Sequence, residues 1–424
     1  MKNDDFEASV GMTRKWDARE AGREVARNTI RKLKRPPSFF LLFSTIHYEK
    51  NGGFQEFLDG VWDVLPKGTP LIGGTIAGFI NPEGCFVRGA SAMAVSARRI
   101  DISLGIGYNT KRNPKRAARE CSSMIQKGLK NSNYPNKWFI SFVSGGKVPS
   151  FPIIGKKHVV DSFIGLKFFL IFFNKLCSLL QIGPGRDEDV LEGLSNNLKK
   201  FRGIAGTSCD ELKLERNTQF FMKKTVTNSI VSLGISSDKD VKFTSATGLT
   251  PSGIKFTIDK KGGGGYILKK INKDRAVDEY LKLMGWPKEV LDERLYRKVF
   301  YYPFIQKTSN RLSSPRMLGL VYGDEFISAA KPLDEVDAEI FTSTGKSMIE
   351  SVNDLFKDES YEFAFLISCG TKMETLGNNI YNVKKILDKK LGDDYLLLYV
   401  GGEFTKISDD EFAFMYQSDN ALLM

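Results

Sequence analysis

The chain begins with a pattern of polar and apolar positions that is typical of an amphipathic helix followed by a buried strand. Ala18, Ala21, Val25 and Ile30 recur every three to five residues, which predicts a helix with one apolar face. The apolar run from Phe39 to Phe43 follows and is short enough for a strand. A second helical pattern then leads to another strand, so helices and strands are expected to alternate.

The order helix, strand, helix, strand recurs three times. The first copy lies at about 18–97, the second at about 114–235 and the third at about 343–404. This pattern predicts an α/β fold made of repeated helix-strand-helix-strand units. We expect two α/β domains. The first, 1–275, holds two copies and an apolar insertion at about 146–188, and the second, 276–424, holds the third copy.

Each copy has small residues where its second apolar strand ends. The pairs are Gly73 and Gly74, Ala205 and Gly206, and Gly401 and Gly402. Small residues at the carboxyl end of a strand let another group approach closely, and α/β sheets bind ligands at such ends. Close packing of a helix against a strand explains the same residues equally well. Both interpretations stay open at this point.

The charge of the chain raises the question of nucleic acid or anionic membranes as partners. The sequence has 424 residues, a net charge of +12 and two basic stretches, at 27–35 and 111–119. Both stretches lie on predicted helices and lack the interleaved aromatic residues of an RNA-binding motif. We therefore predict that they are solvated helix faces, and nucleic acid is not expected as a partner.

The cysteines and the first residues favour a cytoplasmic protein. The five cysteines lie far apart and none belongs to a CxxC pair, which argues against a disulfide framework and a structural zinc site. The acidic start lacks the basic and apolar regions of a secretory signal. No pattern joins a nucleophile to a base, so we expect no enzymatic activity; an enzyme that uses Cys209 or Cys369 is the alternative.

The segment 163–182 is the most apolar stretch of the chain. Lys167, Asn174 and Lys175 interrupt it, so it does not meet the requirements of a transmembrane helix. A helix of this sequence has a narrow polar stripe and is apolar elsewhere. We predict that the segment is buried or binds a partner, with contact to a membrane surface as the alternative.

Several segments together resemble the FIST family, whose members have an N-terminal and a C-terminal FIST domain. The helix at 17–33 and the small-residue turn at 72–80 resemble the start of the first domain. The turn departs from the family pattern at Phe79, where relatives commonly have an acidic residue. The segment Leu366 to Gly370 and the turn at 402–403 resemble the second domain. The resemblance covers nearly the whole chain.

The resemblance implies a stand-alone cytoplasmic sensory module that binds a small, amino-acid-like ligand and signals through a separate partner protein. No cofactor is expected; the alternative is a haem-based gas sensor with His47 or His158 as the axial ligand. A further alternative is a scaffold that docks through segment 163–182. At the strand ends, Asp210, Glu403 and Asn420 are expected to orient a polar ligand. The expected site residues are Gly73, Gly74, Thr75, Gly206, Asp210, Cys369, Gly370, Gly402, Glu403 and Asn420.

Overall fold

The structure, a computed structural model, describes most of the chain. The described residues are 6–147, 159–160, 179–183, 185–211, 213–262, 265, 267–292, 295, 298–299, 301–308, 311–312, 314–316, 318–328, 333–356, 361–410, 412–415 and 417–424. Most of the segment 163–182, together with His158, lies outside them. The docking role of that segment and the haem role of His158 therefore stay predictions.

The helices and strands are numbered along the chain. The α-helices are α1 (Ala18–Ile30), α2 (Phe54–Trp62), α3 (Pro114–Gly128), α4 (Asp187–Asn197), α5 (Ala276–Met284), α6 (Gly345–Asp354), α7 (Gly370–Leu376) and α8 (Ile380–Leu391). The strands are β1 (Phe6–Thr13), β2 (Phe39–Ser44), β3 (Leu71–Thr75), β4 (Gly78–Asn81), β5 (Gly84–Phe86), β6 (Ala90–Ala97), β7 (Ile100–Tyr108), β8 (Asn136–Ser144), β9 (Val159–Val160), β10 (Arg202–Ser208), β11 (Gln219–Phe221), β12 (Lys224–Val226), β13 (Ser229–Ser237), β14 (Lys242–Thr247), β15 (Thr250–Gly262), β16 (Ile267–Ile271), β17 (Asp274–Arg275), β18 (Phe304–Thr308), β19 (Arg311–Leu312), β20 (Leu318–Tyr322), β21 (Glu325–Ser328), β22 (Asp337–Thr342), β23 (Ala364–Cys369), β24 (Tyr395–Val400), β25 (Glu403–Lys406), β26 (Phe412–Met415) and β27 (Ser418–Leu423).

Local sequence signals account for several helix ends. Asp17 precedes α1, and its carboxylate accepts a hydrogen bond from the backbone N–H of Glu20, which caps the helix. Pro114 is the first residue of α3, where a missing N–H leaves no hydrogen bond unmade. Gly285 ends α5 in the left-handed conformation, with φ of 63°. The amphipathic patterns thus place α1 and α3 correctly within a few residues.

The chain divides into two compact units. The first consists of Met1–Lys147, Asp187–Thr247 and Ile349–Met424, and the second of Val148–Arg186 and Gly248–Met348. Helices and sheets occur in both units, which confirms the predicted α/β fold. The predicted domain boundary near residue 275 falls within the second unit. As a boundary between two family domains it stays a prediction.

The described residues of the first unit form three six-stranded sheets that share one arrangement of strands. Their strand orders are β1-β6-β2-β3-β11-β12 (sheet 1), β7-β13-β8-β10-β25-β26 (sheet 2) and β14-β27-β23-β24-β4-β5 (sheet 3). In each order the third and fourth strands are parallel and all other neighbours are antiparallel. The hairpin β4-β5 follows β3 of sheet 1 along the chain but completes sheet 3. In the same way β11-β12 completes sheet 1 and β25-β26 completes sheet 2.

The parallel strands of the first unit are buried on both faces. In β2, the side chains of Phe39, Leu41 and Phe43 join a core shared with the inner faces of sheets 2 and 3. The alternate side chains, Phe40 and Leu42, pack with residues of α1 and α2. Successive side chains of a strand point to opposite faces, so burial of both faces requires an uninterrupted apolar run. The run Phe39 to Phe43 meets that requirement.

The second unit is a mixed sheet with its own core. The strand order is β19-β18-β22-β15-β16-β21-β20-β9, and β17 pairs with β16. Strands β15 and β16 pair antiparallel. Residues of α5 pack on this sheet, with Val277 and Tyr280 in the same apolar cluster as Ile258 and Phe326.

No helix within the described ranges is long and apolar enough to cross a membrane.

Candidate functional site

The carboxyl ends of the parallel strands in the first unit are joined by backbone hydrogen bonds between sheets. The N–H of Cys209 donates to the carbonyl of Thr75 at 3.0 Å, and the N–H of Gly401 donates to Thr207 at 2.9 Å. The N–H of Ala77 donates to Tyr399, also at 2.9 Å. Each bond runs from the segment that follows one parallel strand to the end of another. The three sets of strand ends, where most of the expected site residues lie, therefore form one continuous region.

The exchanged hairpins place three different side chains at equivalent positions of this region. Gln219 pairs with Gly74 in sheet 1, Glu403 pairs with Gly206 in sheet 2, and Phe79 pairs with Leu398 in sheet 3. All three side chains are buried. One of the three equivalent positions, Phe79, is therefore apolar, where the family pattern has an acidic residue. The other two positions, Gln219 and Glu403, have polar side chains.

Glu403 is fully buried beside the Cys369 thiol. The hydroxyl of Ser418 lies 3.4 Å from one carboxylate oxygen of Glu403, a long hydrogen bond. The other oxygen, Oε1, has no hydrogen-bond partner in the part of the chain that the structure describes. Burial raises the pKa of Glu403 well above its ordinary value, and the proximity of the Cys369 thiol and of the Lys372 ammonium lowers it only in part.

An ion pair lies next to Glu403 in the same buried cluster. The ammonium of Lys372, on α7, is 2.5 Å from Oδ2 of Asp419, and the two side chains are 2% and 1% exposed. The hydroxyls of Ser351 and Ser368 each donate to Asp419 at 2.6 Å. Sequence reasoning missed this ion pair, because Lys372 and Asp419 are far apart along the chain and neither belongs to a motif. We call Ser351, Ser368, Cys369, Lys372, Glu403, Ser418, Asp419 and Asn420 the Glu403 cluster.

Three of the expected site residues belong to the Glu403 cluster. Cys369 and Glu403 are neighbours, and the Asn420 amide lies 3.4 Å from the Ser418 hydroxyl. Gly370 begins α7 directly after Cys369, and the carbonyl of Gly402 accepts a hydrogen bond from the N–H of Thr207. Whether a ligand binds these residues stays a prediction.

The side chains of Asp210 and Thr75 accept hydrogen bonds from the protein backbone. The Asp210 carboxylate accepts hydrogen bonds from the backbone N–H groups of Leu214, Glu215 and Arg216 at 2.8–3.1 Å. The hydroxyl of Thr75 accepts one from the N–H of Thr218 at 3.1 Å. Both side chains therefore hold loops in place at the strand ends. A contact of either side chain with a ligand stays a prediction.

Gly73 and Gly74 have no room for a side chain. A Cβ on Gly73 would lie 1.7 Å from the carbonyl oxygen of Leu42, and one on Gly74 would lie 2.4 Å from the Ser208 hydroxyl. Protein atoms therefore occupy the space that these glycines leave, so close packing accounts for both. At Gly206 the nearest atoms are side-chain carbons, the closest at 3.1 Å on Val400.

A second polar cluster surrounds Lys111 at the end of β8. The prediction that 111–119 is a solvated helix face is wrong for Lys111. This residue is 1% exposed, because its side chain packs against the strand ends and does not lie in solvent. Its ammonium donates to Asn228 at 2.9 Å and lies 3.5 Å from the Ser144 hydroxyl. Burial lowers the pKa of Lys111 to about 8. The Ser144 hydroxyl in turn donates to Asn217 at 2.7 Å.

His47 lies beyond the end of β2, in a short 3₁₀ turn. Its Nδ1 is 3.0 Å from the Thr45 hydroxyl, and its ring contacts Tyr48 at 3.9 Å between centroids. Burial and the nearby Arg88 lower the pKa of His47 to about 4, so the imidazole is neutral at physiological pH. A haem-ligand role for His47 stays a prediction. Among the described residues, no group of three or more His, Cys, Asp or Glu side chains is arranged to hold a metal ion.

The buried thiols are expected to resist labelling in the native protein at neutral pH. Burial raises the pKa of Cys369 to about 12 and that of Cys209 still further, and only a thiolate reacts readily. Timed alkylation followed by mass spectrometry measures this, with unfolded protein as the control. Rapid native labelling of Cys209 or Cys369 would instead favour the alternative of an enzyme with a cysteine nucleophile.

An open groove lies at the opposite end of sheet 2, where the parallel strands β8 and β10 begin. It has a volume of about 460 Å³ and is lined by Pro135, Asn136, Lys137, Lys200, Phe201, Arg202, Asp240, Ile407, Ser408 and Asp409. None of the expected site residues lines it. The groove is therefore an alternative binding site for a ligand. An experiment has to distinguish binding in the groove from binding at the Glu403 cluster.

Comparisons with known proteins cover part of the chain. A family model described as the FIST N domain matches residues 38–274, more than half of the sequence. A comparison with curated proteins gives no match. Among solved structures, a cyanuric acid hydrolase from A. caulinodans is similar over 56% of this chain and 72% of that chain, with 10% identity and a TM-score of 0.26. A likeness this low carries no argument about function.

Proposed function

The chain belongs to the FIST family of sensory domains, and from this premise we propose that it detects a small polar ligand at the Glu403 cluster and signals through a separate partner protein. The observation that carries the proposal is the Glu403 carboxylate. It is 0% exposed, yet its Oε1 has no hydrogen-bond partner among the described residues. A buried polar atom without a partner costs roughly 1–3 kcal/mol, and a ligand that donates to it removes that cost.

The position of the cluster suits a sensor. Glu403 lies on β25, which pairs with β10 of sheet 2, whereas Cys369 and Ser418 belong to sheet 3. A ligand held between Glu403 and Cys369 therefore contacts two sheets at once. A ligand shifts a conformational equilibrium only as far as it binds one state better than the other. Contacts to two sheets give it that differential affinity, because any rearrangement of one sheet against the other alters the site.

The proposal is tested by a thermal-shift screen of amino acids and small polar metabolites on the full chain. A true ligand at one hundred times its Kd stabilises the folded state by about 2.7 kcal/mol. We expect at least one compound to raise the Tm of the wild type and to lose this effect in Glu403→Gln. An absorption spectrum of the same sample tests the haem alternative, since bound haem gives a Soret band.

The matched control variant changes the groove instead of the cluster. Lys137→Gln removes one charge from the groove lining and leaves the Glu403 cluster unchanged. A ligand that loses its effect in Lys137→Gln but keeps it in Glu403→Gln would contradict the proposed site. A screen without any stabilising compound would contradict the proposed function and favour the scaffold alternative.

A further inference from the structure

The Glu403 cluster contains two buried carboxyl groups and one buried ammonium. The geometry assigns the ammonium to Asp419, because Nζ of Lys372 lies 2.5 Å from Oδ2 of that residue. Asp419 also accepts the hydroxyls of Ser351 and Ser368, so its charge is well compensated. One ammonium neutralises one carboxylate. Glu403 is therefore fully buried, and among the described residues it has no positive charge of its own to pair with.

The other ionisable groups around Glu403 do not supply that charge. Cys209, which follows β10, and Cys369, at the end of β23, approach it, and both are thiols that burial keeps neutral. Lys372 approaches from α7 and Asp419 from β27, and the two are paired with each other. A buried carboxyl group in such surroundings takes up a proton or binds a cation.

The equivalent position in sheet 1 shows how the fold satisfies an uncharged side chain. Gln219, which pairs with Gly74 as Glu403 pairs with Gly206, donates from Nε2 to Asn217 at 3.2 Å. Its Oε1 accepts the Ser229 hydroxyl at 3.0 Å. Both polar atoms of the glutamine at this address thus have a hydrogen-bond partner within the protein. The carboxyl group at Glu403 differs from this glutamine because it can ionise and because its Oε1 has no partner among the described residues. This difference favours a ligand at Glu403.

We propose that the Glu403 cluster binds a small organic cation that carries a primary ammonium group. This ammonium takes the place of the proton on Glu403. This inference rests on the proposed function and names the chemical class of its ligand. The ammonium donates to Oε1 and supplies the missing positive charge, and the carboxyl proton leaves to solvent. Binding therefore releases one proton. Its affinity rises as the pH rises, until Glu403 ionises without the ligand.

The experiment uses methylammonium as the probe on the full chain, at three pH values one unit apart. We expect the apparent affinity, derived from the rise in Tm at constant ionic strength, to increase about tenfold per pH unit. Tetramethylammonium, which has the charge but no N–H group, is expected to give no rise. Potassium chloride at the same concentration tests for an inorganic cation. Glu403→Gln is expected to abolish the methylammonium effect at every pH.

Three results would overturn the inference. They are an equal response to potassium and methylammonium, no response to methylammonium at all, and a methylammonium response that persists unchanged in Glu403→Gln. The metabolite screen keeps the two proposals apart. A neutral or anionic compound that stabilises the wild type, but not Glu403→Gln, would support the proposed site and refute the cation as its ligand class.

Discussion

The variant Lys372→Met is expected to lower the free energy of unfolding by about 3–5 kcal/mol. Lys372 and Asp419 are 2% and 1% exposed, and their charged atoms are 2.5 Å apart. Without the ammonium, the Asp419 carboxylate stays buried, and the side-chain donors left to it among the described residues are the two serine hydroxyls. Chemical denaturation of wild type and variant, compared at neutral pH, measures the loss.

The double variant Lys372→Met/Asp419→Asn provides the control for this prediction. It removes both charges. The hydroxyls of Ser351 and Ser368 donate to different oxygens of Asp419, so the asparagine oxygen accepts from one of them and its NH₂ group donates to the other. Because removal of a whole buried ion pair costs far less than removal of one partner, most of the lost stability should return. A double variant that is less stable than Lys372→Met would show that packing of the lysine, and not its charge, is what the site requires.

The variant Gly73→Ala is expected to destabilise the first unit by more than about 4 kcal/mol or to prevent folding. The added Cβ would lie 1.7 Å from the carbonyl oxygen of Leu42, which is backbone held in the parallel pairing of β2 with β3. The strands would have to separate, and their hydrogen bonds would be lost. Circular dichroism and the Tm of the purified variant report the effect.

Gly206→Ala is the matched control for Gly73→Ala. Its added Cβ meets side-chain carbons at 3.1 Å or more, and these can move slightly. We expect a cost of roughly 1 kcal/mol or less. If Gly73→Ala proved as mild as Gly206→Ala, close packing would not be the reason for the glycine, and the ligand-contact interpretation of Gly73 would regain support.

The sequence was sufficient to predict the main helices and strands of the first unit, because their burial is regular. An amphipathic face at α1 and an apolar run at β2 are properties of consecutive residues. The exchange of hairpins between sheets cannot be predicted from consecutive residues. The hairpin β4-β5 follows β3 directly along the chain, yet it pairs with β24, and this choice depends on tertiary contacts that a local pattern does not contain.

The candidate site was predicted only in part, for the same physical reason. Glu403 and Cys369 were identified through a family resemblance, and the fold brings them together. Lys372 has the sequence surroundings of an ordinary helical lysine, and only the packing of α7 against sheet 3 buries it. Lys111 likewise belongs to a basic stretch, and nothing local distinguishes a lysine that turns inward from one in solvent. Burial of a long polar side chain is a property of the assembled fold.

The most direct test of the central claim is a crystal structure of the full chain with the compound that raises its Tm most. The account predicts a nitrogen of that compound within about 3.2 Å of Oε1 of Glu403, between sheets 2 and 3. Density for the compound in the groove beside Lys137, with the Glu403 cluster unchanged, would contradict it.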